Sequence, residues 1–282
     1  MDRVLVTGVR GKTGVPLAAL LAARGGVEVR GGSSDPRSVD LPGVVPTAFS
    51  WDDPDGWRAA ADDVDAVFVV RPDRLDAPDL VAGLLGVLPP HVHVVLLSER
   101  RAEETGGHDW AVRVERAVTS REGSWTVLRP GWFMQVLTDP RFFRDLVLDD
   151  GALPFPSRGA RLAWVDVRDI AAVAAEALLA PDVHDGVTYE ITGPEPLSLP
   201  ETAALLAAAT GREVEHRDVT DAEALEGTGG FERELTALTY DRVRAGVFAD
   251  PTDDVERVTG RPPRSLRTFL ADAGPDLTGG VA

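Results

Sequence analysis

Val4-Leu5-Val6-Thr7-Gly8-Val9-Arg10-Gly11-Lys12-Thr13-Gly14 is the stretch whose reading decides the fold. Its first three residues read as a short buried strand. From Thr13 to Arg24 the chain is rich in Ala and Leu and stops at Gly25-Gly26, which predicts a helix. Pro16 falls in the first turn of that helix, where a missing N–H costs little. Between strand and helix lie three glycines spaced Gly8-x-x-Gly11-x-x-Gly14. A glycine-rich turn of this kind lets backbone N–H groups approach a pyrophosphate, and the helix N-terminus adds partial positive charge. The spacing differs from G-x-G-x-x-G, and a glycine triplet alone is weak evidence. Its place directly after a first strand and ahead of a long helix is what points to a dinucleotide.

Outward from this turn the pattern repeats. Val27-Glu28-Val29, Val44 to Phe49, Asp65 to Val70, Val92 to Leu97 and Trp125 to Leu128 read as strands two to six. Helical stretches fall between them, roughly 53–61, 77–88 and 108–120. Strands alternating with helices imply a parallel sheet covered on both faces. The expected class is therefore α/β, a Rossmann doubly wound parallel sheet over residues 1–130, with a smaller C-terminal α/β substrate lobe over 131–282. Within that lobe, the helix 166–179 and the strand 187–192 are expected to return to the sheet. Gly151 to Ala160 reads as a Gly/Pro loop with a short strand on either side. Leu199–Thr210 reads as a helix, Val214–Arg217 as a strand, and the tail from Gly274 as frayed.

Composition narrows the functions. The formal charge of −17 is the wrong sign for a nucleic-acid footprint. No apolar run approaches the length needed to span a bilayer, and Met1-Asp2-Arg3 leads straight into a strand with no secretory signal. The chain has 0 Cys, which removes disulfides, thiolate metal sites and a cysteine nucleophile. A cytoplasmic protein with a small-molecule substrate is expected, without nucleic-acid or membrane partners and with a homodimer as the default assembly. His91, His93, His184 and His216 show no metal-ligand spacing.

The cofactor choice turns on the residues after strand two. NAD sites commonly place a carboxylate there for the ribose 2′-OH. Here the segment is Arg30-Gly31-Gly32-Ser33-Ser34, with no carboxylate until Asp35. Ser33 and Ser34 leave room for a 2′-phosphate, and Arg10 and Arg37 can bind it through charge-assisted hydrogen bonds. NADP(H) is expected over NAD(H). Thr7, Gly8, Gly11, Lys12, Thr13 and Gly14 complete the phosphate side, and Val70-Arg71-Pro72 at the end of strand four also belongs to the cofactor side.

Several further segments resemble one family. Thr7 to Gly14 is similar to the loop of atypical short-chain dehydrogenases/reductases of the NmrA-like type. Phe49-Ser50-Trp51-Asp52-Asp53-Pro54-Asp55-Gly56-Trp57 and Trp125-Thr126-Val127-Leu128-Arg129-Pro130-Gly131-Trp132-Phe133-Met134-Gln135 resemble the branch that contains the ergot alkaloid reductases. Asp166 to Val173 and Tyr189 to Pro196 resemble later family segments, so the likeness runs from Arg3 to about Asp272. It implies an NADPH-using reductase with the nicotinamide near the ends of strands four to six. Where this branch usually carries asparagine after Met-Gln, this chain has Val136.

The chemistry has to proceed without the usual acid. Short-chain dehydrogenases pair a tyrosine with a lysine four residues on. Lys12 is the only lysine, tyrosine occurs only at Tyr189 and Tyr240, and Gly107 to Arg113 occupies the region where the pair would stand. The standard alcohol dehydrogenase mechanism is thereby excluded. Hydride transfer to an iminium needs no such acid, because the electrophile is already cationic. The missing pair agrees with what the resemblance implies, an NADPH-dependent reductase of an imine, iminium or conjugated carbonyl in secondary metabolism, and agrees equally with loss of catalysis. A non-redox cyclase or isomerase on the same scaffold, or an NADP(H)-sensing regulator, are the alternatives. His108 is the candidate titrating group and Ser98, after strand five, the candidate orienting hydroxyl. Trp132, Phe133, Met134, Gln135, Phe155 and Trp164 are the expected pocket. Asp166 and Asp169 read as helix-opening carboxylates, and Asp52-Asp53 as a cap rather than a metal pair.

Overall fold

The computed structural model describes residues 2–104 and 110–277. The chain divides into two compact units, Met1–Pro130 with Val167–Glu190 and Gly131–Asp166 with Ile191–Ala282. The first 130 residues supply β1 (Asp2–Thr7), α1 (Gly14–Arg24), β2 (Val27–Ser33), β3 (Val44–Ala48), α2 (Trp57–Ala60), β4 (Ala66–Val70), α3 (Ala77–Val87), β5 (His93–Leu97), α4 (Trp110–Thr119) and β6 (Trp125–Pro130). Next come α5 (Arg144–Asp149), β7 (Ala152–Pro154) and β8 (Arg161–Leu162). The first unit is then completed by α6 (Val167–Leu179), α7 (Pro181–His184) and β9 (Val187–Ile191). The remainder carries β10 (Leu197–Ser198), α8 (Leu199–Thr210), β11 (Glu215–Arg217), α9 (Asp221–Ala224), α10 (Gly230–Arg244), α11 (Asp254–Thr259) and α12 (Leu266–Asp272).

Among the described residues, seven strands form one sheet in the order β3-β2-β1-β4-β5-β6-β9. The pairs from β3 to β6 are parallel. β9 runs in the same direction as β6, since the Gly186 amide bonds Trp125 O at one end and the Gly131 amide bonds Ile191 O at the other. The order reverses between β1 and β4, the switch point at which α/β sheets bind ligands. Val67, Phe68 and Val69 in β4 and Val94, Val95 and Leu96 in β5 are wholly buried, as strands covered on both faces require. Pro46, which cannot donate to a ladder, lies in the edge strand β3. The chain is thus a Rossmann α/β fold. Several boundaries depart from the sequence reading, and the tail expected to fray from Gly274 opens instead on a short helix, α13 (Gly274–Leu277). β2 continues four residues beyond Val29, and the helix expected over 53–61 is a 3-10 turn at Pro54–Gly56 followed by a single turn, α2.

The second unit has its own core, built around Phe155, Trp164, Leu199, Leu206, Val243 and Phe248. α8 is set by a capping box, with Ser198 and Glu201 satisfying each other's backbone amides, and it ends at Gly211 in the left-handed region. β8 pairs antiparallel with β10, and β7 pairs parallel with β11. The short strand expected ahead of Gly151 instead lies after it, as β7. Gly193 passes so close to this core that a Cβ there would lie 1.8 Å from Trp164 O.

Candidate functional site

The turn after β1 is shaped by its glycines. The buried Thr7 hydroxyl donates to Phe68 O at 3.0 Å and accepts from the Val70 amide at 2.8 Å, tying the ends of β1 and β4 together. Gly8 adopts φ +64°, and the Gly11 amide closes the turn onto Gly8 O at 2.8 Å. At Gly14 a Cβ would sit 2.3 Å from Gly8 O and 2.8 Å from the Val9 Cα. Only glycine lets α1 start this close against the turn. The first turn of α1 holds no acidic residue, and Thr13 makes no side-chain cap bond there. Gly8, Arg10 and Gly11 are exposed. The result is a cradle of backbone at a helix N-terminus, the arrangement that receives a phosphate.

β2 reaches Ser33 because Gly31 and Gly32 let neighbours close over the strand. A Cβ on Gly31 would meet Val44 Cγ1 at 2.8 Å and Val9 Cγ2 at 3.1 Å. Ser33 is buried, with its hydroxyl donating to Asp35 O at 3.0 Å, while Ser34 is exposed. The Asp35 carboxylate accepts from the Arg37 amide at 3.3 Å and from Arg37 Nε at 3.1 Å, and the Arg37 side chain is 92% exposed. The one acid near the end of β2 is therefore partnered by an arginine. Ser34 also lines a cleft of about 250 Å³ with Thr47, Phe49, Ser50, Asp53 and Ala60. This cleft was not foreseen from sequence. Trp57 Nε1 donates to the carbonyl of one lining residue, Ser50 O, at 2.8 Å. Asp53 occupies the N-cap position of the 3-10 turn but makes no side-chain cap bond, and Asp52 pairs with Arg74, so the capping expectation fails for both.

At the ends of β4 to β6 the polar side chains are held by one another. Val70 is the side chain nearest Gly8, and a Cβ on that glycine would meet it at 3.3 Å. Arg71 lies 4.1 Å over the Trp110 ring and pairs with Glu99 at 2.7 Å and Asp73 at 3.1 Å. Pro72, half-buried, follows it. Ser98 is buried and donates to Glu115 Oε1 at 2.5 Å. The same carboxylate takes a two-point bond from Arg129, at 2.9 and 2.6 Å, and Arg129 also meets Glu103 and Glu190. Hydrogen bonding to Glu115 pushes the Arg129 guanidinium above its ordinary range, and burial pushes the Glu190 carboxyl up. Sequence reading missed Glu115. His108 lies outside the described residues.

In the second unit Trp132, Phe133 and Gln135 are half-buried, whereas Met134, Phe155 and Trp164 are sealed in the core. Trp164 Nε1 donates to Thr202 Oγ1 at 3.1 Å and Gln135 Nε2 to the buried Asp166 at 3.0 Å. Val136, standing where asparagine was expected, is itself buried in the apolar core. Among the described residues no helix is long and apolar enough to cross a membrane.

Residues 97–257 match the NmrA-like family, and the chain belongs to it. The NAD(P)H azoreductase of Xenophilus azovorans is 33% identical over 247 residues, 83% of this chain and 84% of the relative. The agroclavine dehydrogenase of Claviceps fusiformis is 28% identical over 283 residues, 95% of this chain and 96% of that one. An NADPH-dependent quinone oxidoreductase from Escherichia coli, solved with NADPH, superposes with a TM-score of 0.79 at 17% identity. It covers 95% of this chain and 99% of its own, and establishes likeness of fold.

Proposed function

We propose that this protein is an NADPH-dependent reductase of a conjugated small molecule, an imine, iminium or conjugated carbonyl, in secondary metabolism. The observation that carries this reading is the crowding at Gly14, which lets the N-terminus of α1 start directly against the exposed Gly8–Gly11 turn. Relatives named as azoreductase and agroclavine dehydrogenase support the reductase class. NADPH, when bound, supplies the hydride. Gly8, Gly11, Lys12, Thr13 and Gly14 hold the pyrophosphate, and Ser33, Ser34, Arg10 and Arg37 receive the 2′-phosphate. Arg37, already engaged with Asp35, offsets that carboxylate and favours NADP(H) over NAD(H).

The substrate lobe is assigned to the second unit, with Trp132 and Phe133 presenting accessible aromatic surface. An aromatic face also tolerates a cationic substrate, by about 0.5 to 2 kcal/mol. Ser98, whose hydrogen is held by Glu115, offers only lone pairs. It therefore orients a donor group rather than protonating the product. His108 is the proposed titrating group.

The test is calorimetry with NADPH and NADH, followed by NADPH oxidation over a panel of a cyclic iminium, a naphthoquinone and an azo dye. Tighter binding of NADPH and turnover of at least one acceptor are expected. Tight NADPH binding with no turnover across the panel overturns the reductase reading.

A further inference from the structure

Trp132 differs from the other rings of the second unit in how it is packed. Phe155 and Phe248 meet it edge-on, at 62° and 65°, and Trp164 is tilted at 56°. Tyr240, from α10, is the near-parallel partner, with centroids 6.1 Å apart and 26° between planes. Phe155 and Trp164 are sealed, but Trp132 keeps accessible surface. The two polar tips of this stack also differ from those elsewhere. Tyr189 bonds His184 at 2.7 Å, and Trp164 bonds Thr202 at 3.1 Å. Among the described residues neither Tyr240 Oη nor Trp132 Nε1 finds a hydrogen-bond partner, and neither atom is sealed from solvent. A buried tyrosine normally finds a partner for its hydroxyl. Here the residue is buried, yet its hydroxyl oxygen is not sealed from solvent. Burial, and after it the Asp221 carboxylate, push the Tyr240 phenol up, so it keeps its proton at neutral pH and can donate.

We infer that Trp132 and Tyr240 form the substrate platform. Trp132 stacks on a flat conjugated molecule, and the Tyr240 hydroxyl donates a hydrogen bond to a neutral acceptor atom on it. The inference rests on the reductase reading and narrows it. A quinone carbonyl or an azo nitrogen has the lone pair this donor needs, whereas an iminium nitrogen has none. The platform therefore favours the neutral conjugated acceptor over the cation.

The probe is menadione, usable here because the chain has 0 Cys for a quinone to alkylate. Binding to the full chain is followed by quenching of tryptophan fluorescence, with a cyclic iminium as the comparison ligand. Tyr240→Phe is expected to raise the Kd for menadione about tenfold, the worth of one hydrogen bond, and to leave the iminium Kd unchanged. NADPH calorimetry and the thermal melt should match wild type. Trp132→Leu is expected to weaken both ligands, and Trp132→Phe, which keeps a ring in the core, to weaken them less. In turnover, Tyr240→Phe should raise KM for menadione more than it lowers kcat. Equal menadione binding by wild type and Tyr240→Phe overturns the inference, as does failure of wild type to bind menadione. A tenfold difference in binding, with no NADPH consumed on menadione or on any other acceptor of the panel, instead leaves the platform standing and removes the reductase reading.

Discussion

Glu115 shows how much one side chain can hold together. Its two oxygens take the Ser98 hydroxyl and both arms of Arg129, so a helix and two strand ends share one carboxylate. Glu115→Ala leaves Arg129 with Glu103 and Glu190 alone and strips Ser98 of its acceptor. A loss of about 3 kcal/mol is expected, the scale for removing one partner of a buried ion pair. Ser98→Ala removes a single hydrogen bond to a charged group and is expected to cost about 1.5 to 2 kcal/mol. Urea denaturation of both variants checks the ranking, and equal losses would contradict it. Ser98 stood out in the sequence by its place after a strand, and Arg129 lay inside a family-like segment without being singled out. Glu115 did not, because a glutamate in a helix reads as solvated surface. The signal was nevertheless present: 115 lies on the buried stripe with Trp110, Ala111, Val114 and Val118.

Among the elements, the β1 turn and α1 were the most legible, because three glycines at fixed spacing after an apolar triplet leave few alternatives. The end of β2 was less legible for the opposite reason. Gly31-Gly32 reads as a break, yet both glycines are strand residues that give way to Val44, Val9 and Phe49. The cleft beside Ser34 was hidden by the same misreading, since it depends on where β2 and β3 stop. Gly14→Ala tests what the turn is for. The added methyl cannot be placed 2.3 Å from Gly8 O, so α1 must shift away from the turn. Calorimetry is expected to show at least a tenfold loss of NADPH affinity, about 1.4 kcal/mol, with the far-UV circular dichroism of the rest of the chain retained. Unchanged affinity would mean that the phosphates are held elsewhere.

For the whole molecule, the α/β class followed from alternating patterns alone, while the buried polar cluster between β5 and β6 did not. His93 opens β5, with Nδ1 near Ser124 Oγ at 2.9 Å and Nε2 near Thr126 Oγ1 at 3.2 Å. The Thr126 hydroxyl donates onward to His184 O at 2.7 Å. Burial lowers His93 from 6.5 to about 4, against a raising influence from Asp185. The unfolded chain therefore takes up a proton near 6.5 that the native state refuses until about 4. Stability is expected to fall as pH drops through this window, by about 2 to 3 kcal/mol, and His93 adds nothing further below it. Melting temperature against pH should show this slope in wild type and a flatter one in His93→Asn. Parallel slopes would rule out His93 as the cause.

The first unit is assembled from two separated pieces of chain, and β9 is the last of its strands to be made. A ribosome that has finished β6 at Pro130 must still add Gly131–Asp166, α6 and α7 before β9 is complete at Ile191. At about 5 to 20 residues per second this takes several seconds. Until then the outer rim of β6 has no neighbour, and an unpaired strand rim invites other chains. The nascent protein thus meets its greatest hazard midway through translation, when the first unit is nearly built and cannot yet complete its own sheet.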